Sequence, residues 1–176
     1  MFGAGAGNRG HKVARVTIGN LVMSTHAEPG MTPLLKDLYT ATATATGGRS
    51  GRASTNDGIL DVGLAAPVEL GGPGGATNPE QLFAAGFAAC FQSALGVVAR
   101  RLKADITGSS VTAHVTLGSV EGGVYGLKVA LHSELPGVDA EVAEKLIELA
   151  HQVCPYSNAT RGNIEVTVTV DTPARV

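Results

Sequence analysis

A chain of 176 residues with 13 basic and 15 acidic side chains carries a formal charge of −2, and no stretch gathers its Lys and Arg into a basic stripe. This argues against nucleic acid as a partner, and the length suits one main domain at roughly 150 residues per domain. Aromatic residues make up only 4% and Trp is absent, so apolar burial must come from Val, Leu, Ile and Ala, while the two cysteines are too few for a disulfide scaffold.

Residues 1–31 are Gly-rich and mixed, and end in the breaker Pro29-Gly30. Arg9, His11, Lys12 and Arg15 are not followed by an unbroken apolar run of roughly 7–15 residues, so no secretory signal is read. VARVTIGNLV is a candidate strand, but the segment as a whole reads as a flexible, non-catalytic extension, with Met31 an alternative start and 32–176 the main domain. From Leu38, LYTATATAT alternates with a period of two and predicts a strand, GGRSG a turn, and ILDVGLAAP a second strand. ELGGPGGATN is a glycine-rich loop.

A long helix follows. Asn78 is a good N-cap, Pro79 fits the first helical position, Gln81 completes a capping-box pattern, and Arg100, Arg101 and Lys103 suit the C-terminal dipole. Leu82–Ala99 reaches the lower limit of a membrane span, but Gln92 and Ser93 interrupt it and Ala and Gly dominate the rest. It reads as the central helix of a core rather than as a membrane segment. VTAHVTLGSV, EGG and VYGLKVALHSEL form a hairpin pattern. Asp139 caps a second helix whose apolar positions Val142, Leu146, Leu149 and Val153 share a face, and Pro155 ends it. NIEVTVTVD closes the chain as a strand, and the order of elements indicates an α+β fold.

Chemistry centres on Cys90, set within the apolar helix. A free cysteine there packs as a small hydrophobe, and an apolar setting raises its pKa and makes it inert. For it to react, a cation must come from elsewhere in the fold, because the helix dipole fades within the first turn. Arg49, in the glycine-flanked turn GGRSG, is the first candidate and Arg52 a rival. Glu80 in the first helical turn would orient such an arginine through a bidentate pair, the alternative being a dipole-favoured carboxylate. Ten residues of rise put Glu80 about 15 Å from Cys90, so a shared site would draw Glu80 from a second subunit. Phe83, Phe87 and Phe91 recur at intervals of four, either as core or as walls of an apolar substrate pocket. Cys154, with His151 one turn before it, offers a metal half-site, a structural thiol or a resolving thiol at an accessible helix end. His11, His26, His114 and His132 are scattered, and no metal site is expected.

Three segments, ATGGRSG, LGGPGGATNPEQLFAAGFAACF and VCPYSNATRGNIEV, closely resemble the organic hydroperoxide resistance (Ohr) branch of the Ohr/OsmC family, over about Leu34 to Val170 and at a cysteine spacing of 154 − 90 = 64. The resemblance implies an intertwined homodimer with central helices wrapped by antiparallel sheets and active sites at the subunit interface. It implies a cytoplasmic, cysteine-based peroxidase that reduces organic hydroperoxides to alcohols without a metal or organic cofactor. Cys90 then matches the peroxidatic cysteine, Cys154 the resolving cysteine of a Cys90–Cys154 disulfide, Arg49 the arginine that holds the thiolate, and Glu80 its partner. Dihydrolipoamide or a lipoylated protein would be the reductant. The alternatives are the OsmC-like branch of the same family, a non-enzymatic dimerisation module and a zinc-binding protein.

Overall fold

The structure, a computed structural model, describes the backbone of 14–18 and 21–25 and residues 33–175. The chain divides into two compact units, Met1–Ala41 and Thr42–Val176. In the first, β1 (Ala14–Ile18) and β2 (Leu21–Thr25) pair antiparallel, with Ala14 opposite Thr25 and Ile18 opposite Leu21. The expectation of a flexible extension over 1–31 otherwise falls outside the described residues.

The second unit holds two three-stranded sheets and three helices. β3 (Ala43–Thr46), β4 (Arg52–Thr55) and β5 (Asp61–Gly63) form an antiparallel meander. These strands are shorter than the alternating patterns predict, and all four β3 residues are exposed. The sheet therefore buries no core of its own, a condition under which strands are only marginally stable.

The helix α1 (Pro79–Leu102) forms as its signals predict: the Asn78 side chain accepts from the Gln81 N–H at 2.9 Å, and Pro79 occupies the first position, where no N–H is needed. It ends at Lys103, which adopts the left-handed conformation (φ 56°) and returns its N–H to the Ala99 and Arg100 carbonyls. β6 (Ser110–Ser119) and β7 (Tyr125–Glu134) form the expected hairpin in full register. α2 (Ala140–Val153), capped by the Asp139 carboxylate, and α3 (Pro155–Thr160) then cross over to β8 (Val166–Asp171). β8 pairs parallel to β7, so this sheet is mixed rather than antiparallel as expected. A parallel partner requires such a crossover, and helices commonly supply it.

The core lies where α1 and α2 meet the β6–β7–β8 sheet. Phe87, Phe91, Leu95, Leu131, Leu135 and Leu146 are all buried there, each worth about 1.5–3 kcal/mol for full burial. The inward face of α2 differs from the expected one. Ala143, Leu146, Ile147 and Ala150 are buried, whereas Val142 and Val153 are each 39% exposed. Small alanines allow α2 to approach closely, so the contact turns toward them and away from the larger valines. By length and apolar composition α1 could cross a membrane, but here one side of it carries the core. Its opposite side, including Ala85, Ala89 and Ser93, is exposed.

Candidate active site

Two constellations sit toward opposite ends of the N-terminal half of α1. The first belongs to the turn between β3 and β4. Gly47 and Gly48 adopt positive φ, and a Cβ on Gly51 would lie 1.7 Å from the Thr46 carbonyl oxygen, so only glycine fits there. This tight turn aims Arg49 at the start of α1. Its Nη1 donates to Glu80 Oε2 at 2.8 Å and its Nη2 to Oε1 at 2.5 Å, a bidentate pair made within one chain. The hydrogen bonds from Arg49 hold the Glu80 carboxyl below its usual pKa, against the opposing effect of burial. Arg52, the rival cation, is engaged by Asp61 at 2.5 Å. A hollow of about 560 Å³ beside the pair is lined by Glu80, Gln81 and Ala84 of α1 and by Ala113–Leu117 of β6.

The second constellation is the thiol pair. Cys90 is half-buried on α1, Cys154 is fully buried, and the Cys154 S–H donates to Cys90 Sγ at 3.5 Å. An accessible, mobile Cys154 was expected; instead it is fixed at the junction of two helices. Its N–H donates to the Ala150 carbonyl at 2.9 Å as the end of α2, and its carbonyl accepts from the Asn158 N–H at 3.0 Å as the start of α3. Pro155 thus both stops α2, as expected, and opens α3 at a position where its missing N–H is harmless. Burial pushes the Cys90 thiol up, the Tyr156 backbone amide opposes this, and Cys154 adds to the rise. Arg49 is not among the groups acting on Cys90 within this chain, and the structure does not bring the ion pair and the thiols together in one copy. Cys90 opens into a depression of about 460 Å³ whose other walls are Ser93, Ala94, Val97, Arg101, Val153 and Pro155.

Phe87 and Phe91 have no exposed surface, so these two of the expected pocket walls are core residues that cannot touch a ligand. Phe83 remains half-buried at the edge of the core. Its companion is Tyr156, which sequence reasoning overlooked. The two rings stack at 5.9 Å, and Tyr156 meets Phe87 edge-on at 5.6 Å. The clue in the sequence was an aromatic two residues past Cys154, directly after Pro155. His151 Nδ1 is buried without a hydrogen-bond partner, and burial holds the imidazole's pKa low. No cluster of three or more His, Cys, Asp or Glu able to hold a metal occurs among the described residues.

The model of the OsmC-like protein family matches residues 72–169. An organic hydroperoxide resistance protein of Xanthomonas axonopodis pv. citri is 55% identical over 77% of this chain and 96% of its own. The protein OhrA of Bacillus subtilis, of the same description, is 48% identical over 76% of this chain and 96% of its own. Among solved structures, an organic hydroperoxide resistance protein of Legionella pneumophila superposes with a TM-score of 0.75 at 51% identity, covering 77% of this chain and 99% of that one. The chain belongs to the Ohr/OsmC family.

Proposed function

We propose that this protein is a thiol peroxidase that detoxifies organic hydroperoxides, reducing them to alcohols. The observation that carries the reading is the 3.5 Å approach of Cys154 Sγ to a half-buried Cys90 that opens into an apolar depression. The names of relatives at 48–55% identity support the substrate class. The Cys90 thiolate attacks the outer peroxide oxygen, the O–O bond breaks, and the alkoxide takes a proton and leaves as an alcohol. Cys90 is left as a sulfenic acid. The Cys154 sulfur attacks it, water departs, and a Cys90–Cys154 disulfide remains. A dithiol, dihydrolipoamide or a lipoylated protein, returns two electrons by exchange. Aliphatic walls at Ala94, Val97 and Val153 would favour an alkyl-bearing peroxide over H2O2.

The working unit is a homodimer. Within one chain burial disfavours the Cys90 thiolate, and Arg49 is held by Glu80 about 15 Å away along α1. A second copy would bring its own Arg49–Glu80 pair to Cys90, lower the thiol pKa and stabilise charge on the peroxide oxygens. It would also cover the exposed side of α1 and the unburied β3–β5 sheet. Residues 32–176 form the catalytic part of this dimer, with 1–31 outside it. A cytoplasmic setting fits a thiol pair recycled by a dithiol.

A free-thiol count before and after one equivalent of cumene hydroperoxide, with and without dihydrolipoamide, tests this reading. Both thiols should vanish without intermolecular crosslinks and return with dihydrolipoamide. Two thiols that stay free in excess hydroperoxide would reduce Cys90 to a packing residue.

A further inference from the structure

Tyr156 joins the two thiol-bearing elements through its ring. It lies two residues after Cys154, at the second position of α3, and its ring lies on α1 against Phe83 and Phe87. The ring fits because position 86 has no side chain. A Cβ built on Gly86 would stand 3.1 Å from the Tyr156 hydroxyl oxygen, 3.2 Å from Cε2 and 3.5 Å from Cζ. The first two approaches are closer than most contacts a Cβ makes, so a side chain at 86 requires the ring to give by a few tenths of an ångström. Gly86 and Cys90 are four residues apart on α1 and so neighbours on one side of the helix. The link from the ring back to Cys154 is short and stiff. It passes through Pro155, whose φ is fixed, and Cys154 itself is tied by its N–H to α2 and by its carbonyl to α3. Thr160 Oγ1 donates to the Tyr156 carbonyl at 2.8 Å and tightens the same turn.

We propose that Gly86 and Tyr156 are positioning residues: the gap at Gly86 seats the Tyr156 ring, and that seat holds Cys154 at closing distance from Cys90. The proposal rests on the peroxidase reading above. Its consequence is kinetic. The sulfenic acid on Cys90 has two fates. It condenses with the Cys154 thiol, forming the S–S bond and releasing water. Alternatively it meets a second hydroperoxide, which breaks its own O–O bond, transfers one oxygen to give the sulfinic acid and leaves as a second alcohol. The first fate depends on the Sγ–Sγ approach; the second depends only on hydroperoxide concentration. The seat therefore decides how much peroxide the protein survives. Misplacing a reacting group by about 1 Å can slow its step by up to about a hundredfold.

The test follows single turnovers of the full chain with cumene hydroperoxide and reads Cys90 by mass spectrometry as thiol, dimedone-trapped sulfenic acid, disulfide or sulfinic acid. Tyr156→Ala should slow disulfide closure by about tenfold or more, lengthen the life of the sulfenic acid and accumulate sulfinic acid at peroxide levels that the wild type tolerates. Gly86→Ala should move the same partition in the same direction, by less, because the ring need shift only a few tenths of an ångström. Tyr156→Phe should close like the wild type, and Phe at 156 should partly rescue Gly86→Ala by removing the atom at 3.1 Å. Closure at the wild-type rate in both Tyr156→Ala and Gly86→Ala overturns the proposal while leaving the peroxidase reading intact. A wild type that forms neither trapped sulfenic acid nor disulfide overturns the peroxidase reading itself. Gly86→Ala keeps the test decisive if Tyr156→Ala does not fold.

Discussion

The two ends of the site are built from opposite materials. Around Cys90 and Cys154 the surroundings are sulfur, aromatic rings and aliphatic carbon, held by core packing and by a helix junction. Around Arg49 and Glu80 there is a full charge on each partner, held by a glycine turn and a helix start at the edge of a sheet that covers no core. The thiol end has the atoms that can be oxidised, and the cation lining its depression is Arg101 rather than Arg49; the charged end has a paired cation but no group that reacts with peroxide. Each constellation is well formed and chemically incomplete within one chain. On the peroxidase reading the charged pair would therefore have to come from a second copy, since about 15 Å of rigid helix cannot be closed by side-chain motion.

The comparison breaks first at the thiols. Cys90→Ser should reduce hydroperoxide consumption to background. Cys154→Ser should keep one turnover, leave a persistent sulfenic acid and lose recycling by dihydrolipoamide. Peroxidase activity that survives Cys90→Ser would sink the division of roles. Arg49→Ala comes next, with a fall in kcat/KM of about a hundredfold or more. Its thiol alkylation should require a pH above the ordinary cysteine value of about 8.5, because burial and Cys154 then hold the Cys90 thiol up against the opposing Tyr156 amide. A profile that matches the wild type would turn attention to Arg52, at the cost of its pair with Asp61.

Stability sharpens the contrast. Phe91→Ala should destabilise the fold by about 3–5 kcal/mol, whereas Phe83→Ala, at the core edge, should cost less than about 2 kcal/mol; urea denaturation reads both. Equal losses would mean that Phe83 is as much a core residue as Phe91. The charged end should answer to pH instead. Glu80 is held below its usual pKa, so its contribution is complete above the unfolded carboxylate value of about 4.3 and is lost as the pH falls toward the lower folded one. Glu80→Gln should flatten that acid limb by lowering the neutral plateau toward the acid value, while stability at low pH, where Glu80 is already protonated, stays nearly unchanged. An unchanged acid limb would show that solvent screens the pair.

What the sequence revealed of this arrangement depended on how local the signal was. α1 was legible because Asn78, Pro79 and Gln81 announce its start within four residues. The hairpin of β6 and β7 was legible for the same reason, its turn lying between its strands. The parallel pairing of β8 was not, because its partner β7 is reached only through two helices. The inward face of α2 was misjudged because valine outranks alanine in apolarity, while helix contact rewards small size. Residue chemistry and family resemblance singled out Arg49, Glu80 and the two cysteines as candidates; the pairing of Arg49 with Glu80 and of Cys154 with Cys90 is what the structure adds. Tyr156 was missed because rings at 83, 87 and 156 meet only in three dimensions, and Gly86 because the role of a missing side chain is visible only from what fills its space.

The smallest effect expected is also the cleanest boundary test. Every residue assigned to the site lies between Arg49 and Tyr156, within the unit Thr42–Val176. The β1–β2 pair closes its ladder within its own unit. Deleting residues 1–31 should therefore leave both thiols and their hydroperoxide cycle unchanged, read as kcat/KM with cumene hydroperoxide and as the dihydrolipoamide-reversible thiol count. The cut falls ahead of Ala41, where the two units divide, so a second deletion through residue 41 extends the test. Loss of activity in the longer deletion alone would assign 32–41 to the catalytic part. Loss in both would make 1–31 part of the working site, and the division at residue 31 would fall.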